Sequence, residues 1–225
     1  DGMKNAKDAH EGREYLEFLY GVTPISITAH AYTEDVRGNN IIMKIEQKMT
    51  RTDTGEILED FSGNMTNVFN KFTRKHVPDA PQADINRTGY GAALYPSHLK
   101  AGENISDVWV DSLNETGTLE YVGTETKDGI TLYRYFLNKT TTSMMSLPEI
   151  GRTNCTLTST RKILIEPLMG APAYIENETF SFGITRPGEE PFPFIFMTYK
   201  FSNQSIADGM KNAKDAHEGR EYLEF

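Results

Sequence analysis

Eight asparagines in this chain stand in the pattern Asn-x-Ser/Thr with no proline in the middle, which is the acceptor sequence for N-linked glycans. In that pattern the side-chain amide of the asparagine carries the glycan. The chain has fourteen asparagines, and a serine plus threonine content of about 16% would place about two of them in the pattern by chance. The pattern therefore predicts glycosylation at Asn64, Asn86, Asn104, Asn114, Asn138, Asn154, Asn177 and Asn203.

The alternative interpretation is a threonine-rich β protein whose acceptor patterns are accidental. Cys155 is the one cysteine, so the chain has neither an internal disulfide nor a cysteine-built metal site. Few cysteines usually indicate a reducing compartment, but eight acceptor patterns indicate the outside of a cell. Many glycans without disulfides fit an archaeal cell surface better than a eukaryotic secreted domain, so we expect an extracellular, cell-surface protein.

Other residues that could do chemistry are scattered. The five histidines show no pair at the spacing of a helical metal site, and Cys155 is interpreted as a free structural thiol. Acidic residues at 53, 56, 59 and 60 lie across a turn, where a calcium site is one interpretation and solvated carboxylates are the other. No nucleophile motif, phosphate-binding loop or zinc motif is present. We therefore predict no catalytic residue, no metal, no cofactor and no enzyme activity.

Charge and hydropathy limit the partners. The net charge of -9 and the lack of any basic run exclude a nucleic-acid binder, which needs cations to neutralise phosphates. The longest apolar stretch, "FPFIFM" at 192–197, is far shorter than the roughly 20 residues of a membrane helix, so no membrane span is expected in this chain. A hydrophobic content of 38% supports a folded core.

Period-two alternation dominates the middle of the chain and predicts strands. The stretch "NIIMKIEQKM" alternates apolar and polar residues, and a turn at "TDTGE" predicts a first hairpin. The clearest hairpin turns at Asp128-Gly129, since this pair adopts the positive φ angles of a tight turn. Another turn is predicted at 167–172, and a last strand at "FPFIFMTYKFS". The predicted class is α+β, mainly β, with an antiparallel meander sheet or partly open barrel and helices at both termini.

The segment 76–106 lacks periodicity and contains prolines at 78, 81 and 96, which predicts a long surface loop. Its stretch "GYGAALYP" carries aromatic rings and glycines. One interpretation is an apolar groove lined by Tyr90, Tyr95 and Trp109, and the other is a loop packed on the sheet.

Residues 1–18 and 208–225 have the same sequence, "DGMKNAKDAHEGREYLEF". It lacks proline and β-branched residues, which predicts a helix at each end. For the second copy, Ser205 is a candidate N-cap, and apolar residues recur every three or four positions in a stripe that needs a partner surface. The predicted organisation is a helical linker at 1–20, an antiparallel β domain at 21–205 and a closing helix at 206–225.

Three explanations of this repeat are open. The chain can be one unit of a tandem array that repeats about every 207 residues, so that the first copy is the closing helix of a preceding unit. It can be an engineered chain that borrows the terminal helix. It can also be one period of a regular assembly, with the same helix included at both ends of the chain.

Several motifs resemble a porin-like family of prokaryotic surface proteins from archaea and actinobacteria. They are Tyr95-Pro96, "YVGTE" at 121–125, "GITLYRYF" at 129–136, "EPLMGAP" at 166–172 and "FSNQSIA" at 201–207, together with "RTDTGEI" at 51–57. The match covers most of residues 22–225. The resemblance implies an extracellular β domain, which in relatives lies between transmembrane helices, and it places the segment 208–225 at the end of the domain.

Two functions follow from these patterns. The first is an N-glycosylated structural repeat unit of an archaeal sheath, stalk, filament or layer, whose partners are neighbouring copies of itself joined through the terminal helix. The alternative is an extracellular lipid- or glycan-binding module of a membrane-anchored surface protein, with its ligand under the loop 76–106. An apolar concavity lined by Tyr90, Tyr95 and Trp109 would favour the binding module, and a filled sheet would favour the structural unit.

Overall fold

The computed structural model describes residues 25–51, 53–59, 63–91, 94–147, 151–185, 192–199 and 203–223. These residues form a mainly β structure with one helix near the C-terminus. The strands are β1 (Ile25–Arg37), β2 (Asn40–Arg51), β3 (Gly63–Asn70), β4 (Ile105–Val110), β5 (Glu115–Lys127), β6 (Ile130–Leu147), β7 (Gly151–Glu166), β8 (Ala171–Thr185) and β9 (Phe192–Tyr199), and the helix is α1 (Asn203–Leu223).

The strands form two antiparallel sheets. The first contains β3, β2 and β1, and the second contains β9, β8, β7, β6, β5 and β4, each in that order. The two sheets meet where β1 and β9 run parallel and pair Ile25, Ser26 and Ile27 with Met197, Thr198 and Tyr199. The described strands do not close into a barrel, so the sheet has the edges β3 and β4.

The chain between β3 and β4 connects these two edges. Its described residues form turns and single bridges, which pair Phe69 with His76, Lys75 with Tyr90, and Tyr90 with Val108 of β4. The predicted loop 76–106 therefore corresponds to an irregular segment that begins at residue 71 and gives way to β4 at Ile105. It is packed between the edges, with Ala80 and His76 buried.

Two turns lie where the sequence predicts them. Lys127 pairs with Ile130 across Asp128 and Gly129, whose φ angles are 50° and 80°, as in a tight hairpin with both central residues left-handed. The turn at 167–170 joins β7 to β8, within the predicted range 167–172. The last strand, β9, also lies in the predicted stretch.

The core lies on one face of the six-stranded sheet. Alternate residues of β7 from Cys155 to Ile165 point to this face and pack with residues of the neighbouring strands and the loop. The largest cluster contains Tyr95, Ile105, Val108, Val110, Leu113, Leu119, Tyr135, Leu137, Cys155, Ile163, Ile165, Ile175, Phe180, Phe182 and Ile184. Near one end of the strands the opposite face is also covered, because α1 packs there against Leu132, Leu164 and Ala173.

Some local predictions were wrong or only partly right. The hairpin predicted at 53–56 is present but short among the described residues: Ile57 bridges Thr50, and the N–H of Leu58 donates to the carbonyl of Met49, while most of β2 pairs with β1 and β3. The long strand β1 was not recognised as a strand. The imperfect alternation of "GNMTNVFNKFTRK" predicts a strand through Phe72, but β3 ends at Asn70 and Phe72 is 71% exposed. Pairing with distant strands, rather than local alternation, set these boundaries.

The helix α1 begins at Asn203, two residues before the predicted cap Ser205, and covers most of the predicted range 206–225. The helix predicted at 1–20 lies outside the described residues. Within the described part of the chain, no helix is long and apolar enough to cross a membrane.

Candidate functional site

The acceptor asparagines lie mostly at exposed positions. The side chains of Asn64, Asn86, Asn104, Asn114, Asn138 and Asn154 are exposed. Asn177 in β8 is half-buried, and Asn203 opens α1 with a side chain outside the described set.

Three of these asparagines share one face of the sheet. Asn138 in β6 pairs with Thr160 in β7, Asn177 in β8 pairs with Lys162, and Asn154 pairs with Thr185. Because side chains alternate along a strand, the register places all three asparagines on the face opposite the main core. We call this surface the threonine face. It comprises Asn138, Thr140, Thr142, Asn154, Thr156, Thr158, Thr160, Asn177 and Thr179.

Strand geometry explains why an acceptor pattern fits this face. The asparagine and the threonine of Asn-x-Thr are two residues apart, so a strand points both to the same side. Thr140, Thr156 and Thr179 accordingly lie on the same face as the asparagines of their own patterns. Hydrogen bonds of 2.9 Å between the hydroxyls of Thr140 and Thr158 and of 2.6 Å between those of Thr160 and Thr179 tie the strands together. Such cross-strand pairs contribute roughly 0.2 to 1 kcal/mol each.

Asn177 differs from the other two asparagines of the threonine face. Its Oδ1 is buried and has no hydrogen-bond partner among the described residues. Beside it, Arg134 donates from Nη2 to Glu176 Oε1 at 3.1 Å and also pairs with Glu125. This charged group separates the threonine face from the part of the sheet that α1 covers.

Two acceptor asparagines outside the threonine face take part in loop structure. Asn86 Nδ2 donates to Asp79 Oδ1 at 2.8 Å, and Asn86 Oδ1 accepts from the backbone N–H of Asp79. Asn104 Oδ1 accepts from the backbone N–H of Tyr121 at 2.9 Å. A glycosylated amide keeps its oxygen and one N–H, so these contacts are compatible with a glycan.

The three aromatic residues of the candidate groove are packed. Tyr95 is fully buried, and its hydroxyl accepts from Arg161 Nη1 at 3.2 Å. Trp109 is 8% exposed and donates from Nε1 to Asp111 Oδ1 at 3.2 Å. Tyr90 is half-buried, with the Lys75 ammonium 5.0 Å from its ring centroid. The residues predicted to line a groove therefore fill the space between the loop and the sheet.

A buried ion pair lies beneath Tyr95. Arg161 in β7 donates from Nη2 to Glu178 Oε1 in β8 at 2.6 Å, and the two side chains are 4% and 14% exposed. Burial alone would lower the pKa of Arg161, but the charge of Glu178 and the contact with Tyr95 raise it above its usual value. Burial raises the pKa of Tyr95. This pair was not predicted from the sequence. The one signal for it is the stretch "TSTRK", which places a single arginine on the inward side of a threonine-rich strand.

The described surface includes two open cavities away from the candidate groove. One, of about 440 Å³, is lined by Val122, Arg134, Tyr135, Phe136, Lys162 and Glu176. The other, of about 580 Å³, is lined by His98, Leu99, Thr131, Tyr133, Glu166, Pro167 and Leu168. In the second, Glu166 is engaged by its own turn, since its carboxylate accepts the backbone N–H groups of Leu168 and Met169. Neither cavity is lined by Tyr90, Tyr95 or Trp109.

The acidic residues considered for calcium binding and the thiol of Cys155 are held in the folded structure. Asp53 is hydrogen-bonded to Arg51, which lowers the pKa of Asp53, while Asp60 lies outside the described residues. Over the described ranges no group of three or more potential ligands could hold a metal ion. Cys155 is fully buried, and burial raises the pKa of its thiol.

The helix α1 sits on a small apolar surface that lies on the same face of the sheet as the threonine face, near the other end of the strands. We call this surface, formed by Leu132, Leu164 and Ala173, the helix seat. Ala213 of α1 is 2% exposed and packs into the same cluster, with Met210 partly buried beside it. This contact confirms the prediction that the apolar stripe of the helix faces a partner surface.

No protein-family model and no curated protein matches this chain.

Proposed function

We propose that this chain is an N-glycosylated, extracellular structural unit of a cell-surface assembly such as an archaeal sheath, stalk, filament or layer. The observation that supports this most is the threonine face. It gathers three acceptor patterns on one side of β6, β7 and β8, where strand geometry points each asparagine and its threonine outward.

Glycans on this face would decide how units can pack. A bulky, hydrated glycan at Asn138 or Asn154 keeps another protein surface from lying flat against the sheet. Contacts between units are then expected on the parts of the sheet edges, the loop and the helix that lie away from the other five acceptor asparagines. A sheet face with three acceptor patterns, next to surfaces where they are more widely spaced, is compatible with a unit in an ordered surface assembly.

The repeated sequence supports a string of such units. In an array with a step of 207 residues, α1 of one unit continues into residue 19 of the next. Eight residues, numbered 224–225 and 19–24, would then separate the end of α1 at Leu223 from the start of β1 at Ile25. A connection of that length spans at most about 30 Å. Successive units would therefore be close neighbours.

The binding-module alternative has less support. It required an apolar concavity lined by Tyr90, Tyr95 and Trp109, and two of these side chains are almost fully buried by the protein itself. We therefore place the structural unit first.

Peptide mass spectrometry on the protein from its own source tests the proposal. Peptides containing Asn138 and Asn154 should carry mass beyond the polypeptide, and a Thr140→Ala change should remove the added mass at Asn138 only. Unmodified masses for all peptides with an acceptor pattern would overturn the glycoprotein proposal.

A further inference from the structure

We propose that the helix seat of one chain can be filled by the N-terminal segment, residues 1–18, of a second copy. This inference rests on the proposed joining of units through the terminal helix, and it assigns that joining to a surface and a segment. It starts from the contacts by which α1 is held.

The residues that fix α1 on the sheet belong to the repeated sequence. A Cβ atom on Gly209 would lie 2.6 Å from the carbonyl oxygen of Ala173, so helix and strand approach at backbone distance. Met210 and Ala213 supply the apolar contact. In the N-terminal segment the same three residue types stand at Gly2, Met3 and Ala6.

Exposed positions of α1 are repeated as well. Lys211 and Asn212 face solvent, and Lys214 lies 3.6 Å from Glu218 on the exposed side. Residues 1–18 therefore carry the apolar residues that fit the helix seat and the polar residues that suit water on the other side. A surface that binds one segment must have affinity for an identical one.

Each chain thus has one helix seat and two segments that fit it. In this structure α1 fills the seat, and the residue types of the N-terminal segment match the seat of any other copy. Exchange of one segment for the other preserves the contacts that Gly209, Met210 and Ala213 make. The fraction of helix seats filled by a second copy therefore depends on the concentration of the chain rather than on new interactions.

The tether of α1 sets the concentration at which exchange begins. Three residues, 200–202, separate β9 from α1, and a short tether gives an effective concentration on the order of millimolar. Dilute chains should therefore keep their own helix, while chains crowded on a surface should exchange. Because donor and acceptor are different surfaces, the contact is heterologous, and it joins copies either into an open chain or into a closed ring.

Sedimentation of the full chain, produced without glycans, tests this inference. Over a concentration series up to about 1 mM, the natural chain should self-associate. Ala6→Asp should weaken association at least tenfold, because it places an unpaired carboxylate in the helix seat. The matched change Asn5→Asp adds the same side chain at a position whose counterpart, Asn212, is exposed, and should change association less than twofold. Both changes leave α1 intact.

A second measurement locates the contact. A labelled peptide with the sequence of residues 1–18 should bind the full-length Ala213→Asp chain, whose own helix is displaced, at least tenfold more tightly than the natural chain. A natural chain that stays monomeric throughout the series, or an association that Ala6→Asp and Asn5→Asp affect equally, would overturn the inference. Glycopeptide masses are independent of both results, so failure of the glycoprotein proposal and failure of this contact can be told apart.

Discussion

Gly209 of α1 lies against the backbone of Ala173 in β8, so closely that a Cβ atom at position 209 would be 2.6 Å from the Ala173 carbonyl oxygen. The contact explains why a glycine, which weakens helices, is placed inside α1. It also gives the first prediction.

Gly209→Ala should destabilise the protein. Alanine at a free helical position would stabilise by about 1 kcal/mol, but here the added methyl group meets a backbone atom that cannot move aside. We expect the free energy of unfolding to fall by about 1 to 3 kcal/mol, measured by urea unfolding with circular dichroism at low protein concentration. Gly2→Ala, the same change in the first copy of the repeat, is the control and should cause no loss. A stabilising effect of Gly209→Ala would contradict the packing described.

Removal of one partner of the ion pair Arg161–Glu178 should lower the free energy of unfolding. Glu178→Ala leaves a buried guanidinium without its anion, and we expect a loss of about 3 kcal/mol in the free energy of unfolding. The double change Arg161→Met with Glu178→Leu should be less destabilising, since it removes both charges. The exposed pair Arg37–Asp35 is the comparison, and Asp35→Ala should have little effect. Equal losses for the single and the double change would argue against a buried ion pair.

His76 should make stability depend on pH in acid. The centroid of its ring lies 4.3 Å from that of Phe69, and the pKa of His76 is lowered to about 4, chiefly by burial, with Asp111 opposing the shift and Arg87 adding to it. The folded state thus prefers neutral imidazole, so this contribution is complete above the unfolded pKa of about 6.5 and is lost as the pH falls towards 4. The loss should be about 2 to 3 kcal/mol. Urea unfolding at pH 7 and pH 4.5 should show a smaller difference for His76→Phe than for the natural chain, and parallel pH profiles would contradict this account.

Glycan occupancy should differ across the threonine face. Asn138 and Asn154 are exposed, whereas Asn177 is half-buried with its Oδ1 enclosed. We therefore expect high occupancy at the first two and the lowest occupancy at Asn177, read from the fraction of modified peptide at each position. Occupancy at Asn177 equal to that at Asn138 would show that burial does not limit modification here.

The features predicted from the sequence were those set by neighbouring residues. Asp128-Gly129 specifies a turn by its own backbone preferences, and β5 and β6 follow from alternation on either side of it. The apolar stripe of α1 was visible because Ile206, Met210 and Ala213 recur at helical spacing. These signals need no knowledge of distant strands.

The features that were missed depend on distant contacts. Ile25 pairs with Met197, which is far away in the sequence, and no feature of the β1 sequence indicates that partner. Tyr95 was a reasonable groove residue from its neighbours "GYGAALYP", but its environment is set by Arg161, which is 66 residues away. Burial of the candidate site was therefore a property of the assembled sheet rather than of any segment.

The short parallel contact between β1 and β9 has a mechanical consequence. In a string of units, tension would enter at the N-terminal end of β1 and, once α1 has been pulled from the helix seat, leave at the C-terminal end of β9. Because the two strands run in the same direction, that pull would slide one along the other and load the hydrogen bonds of Ile25, Ser26 and Ile27 together rather than one after another. Three residue pairs in shear, together with the bridges that the segment between β3 and β4 makes to both edges, would then resist the separation of the two sheets in a stretched unit.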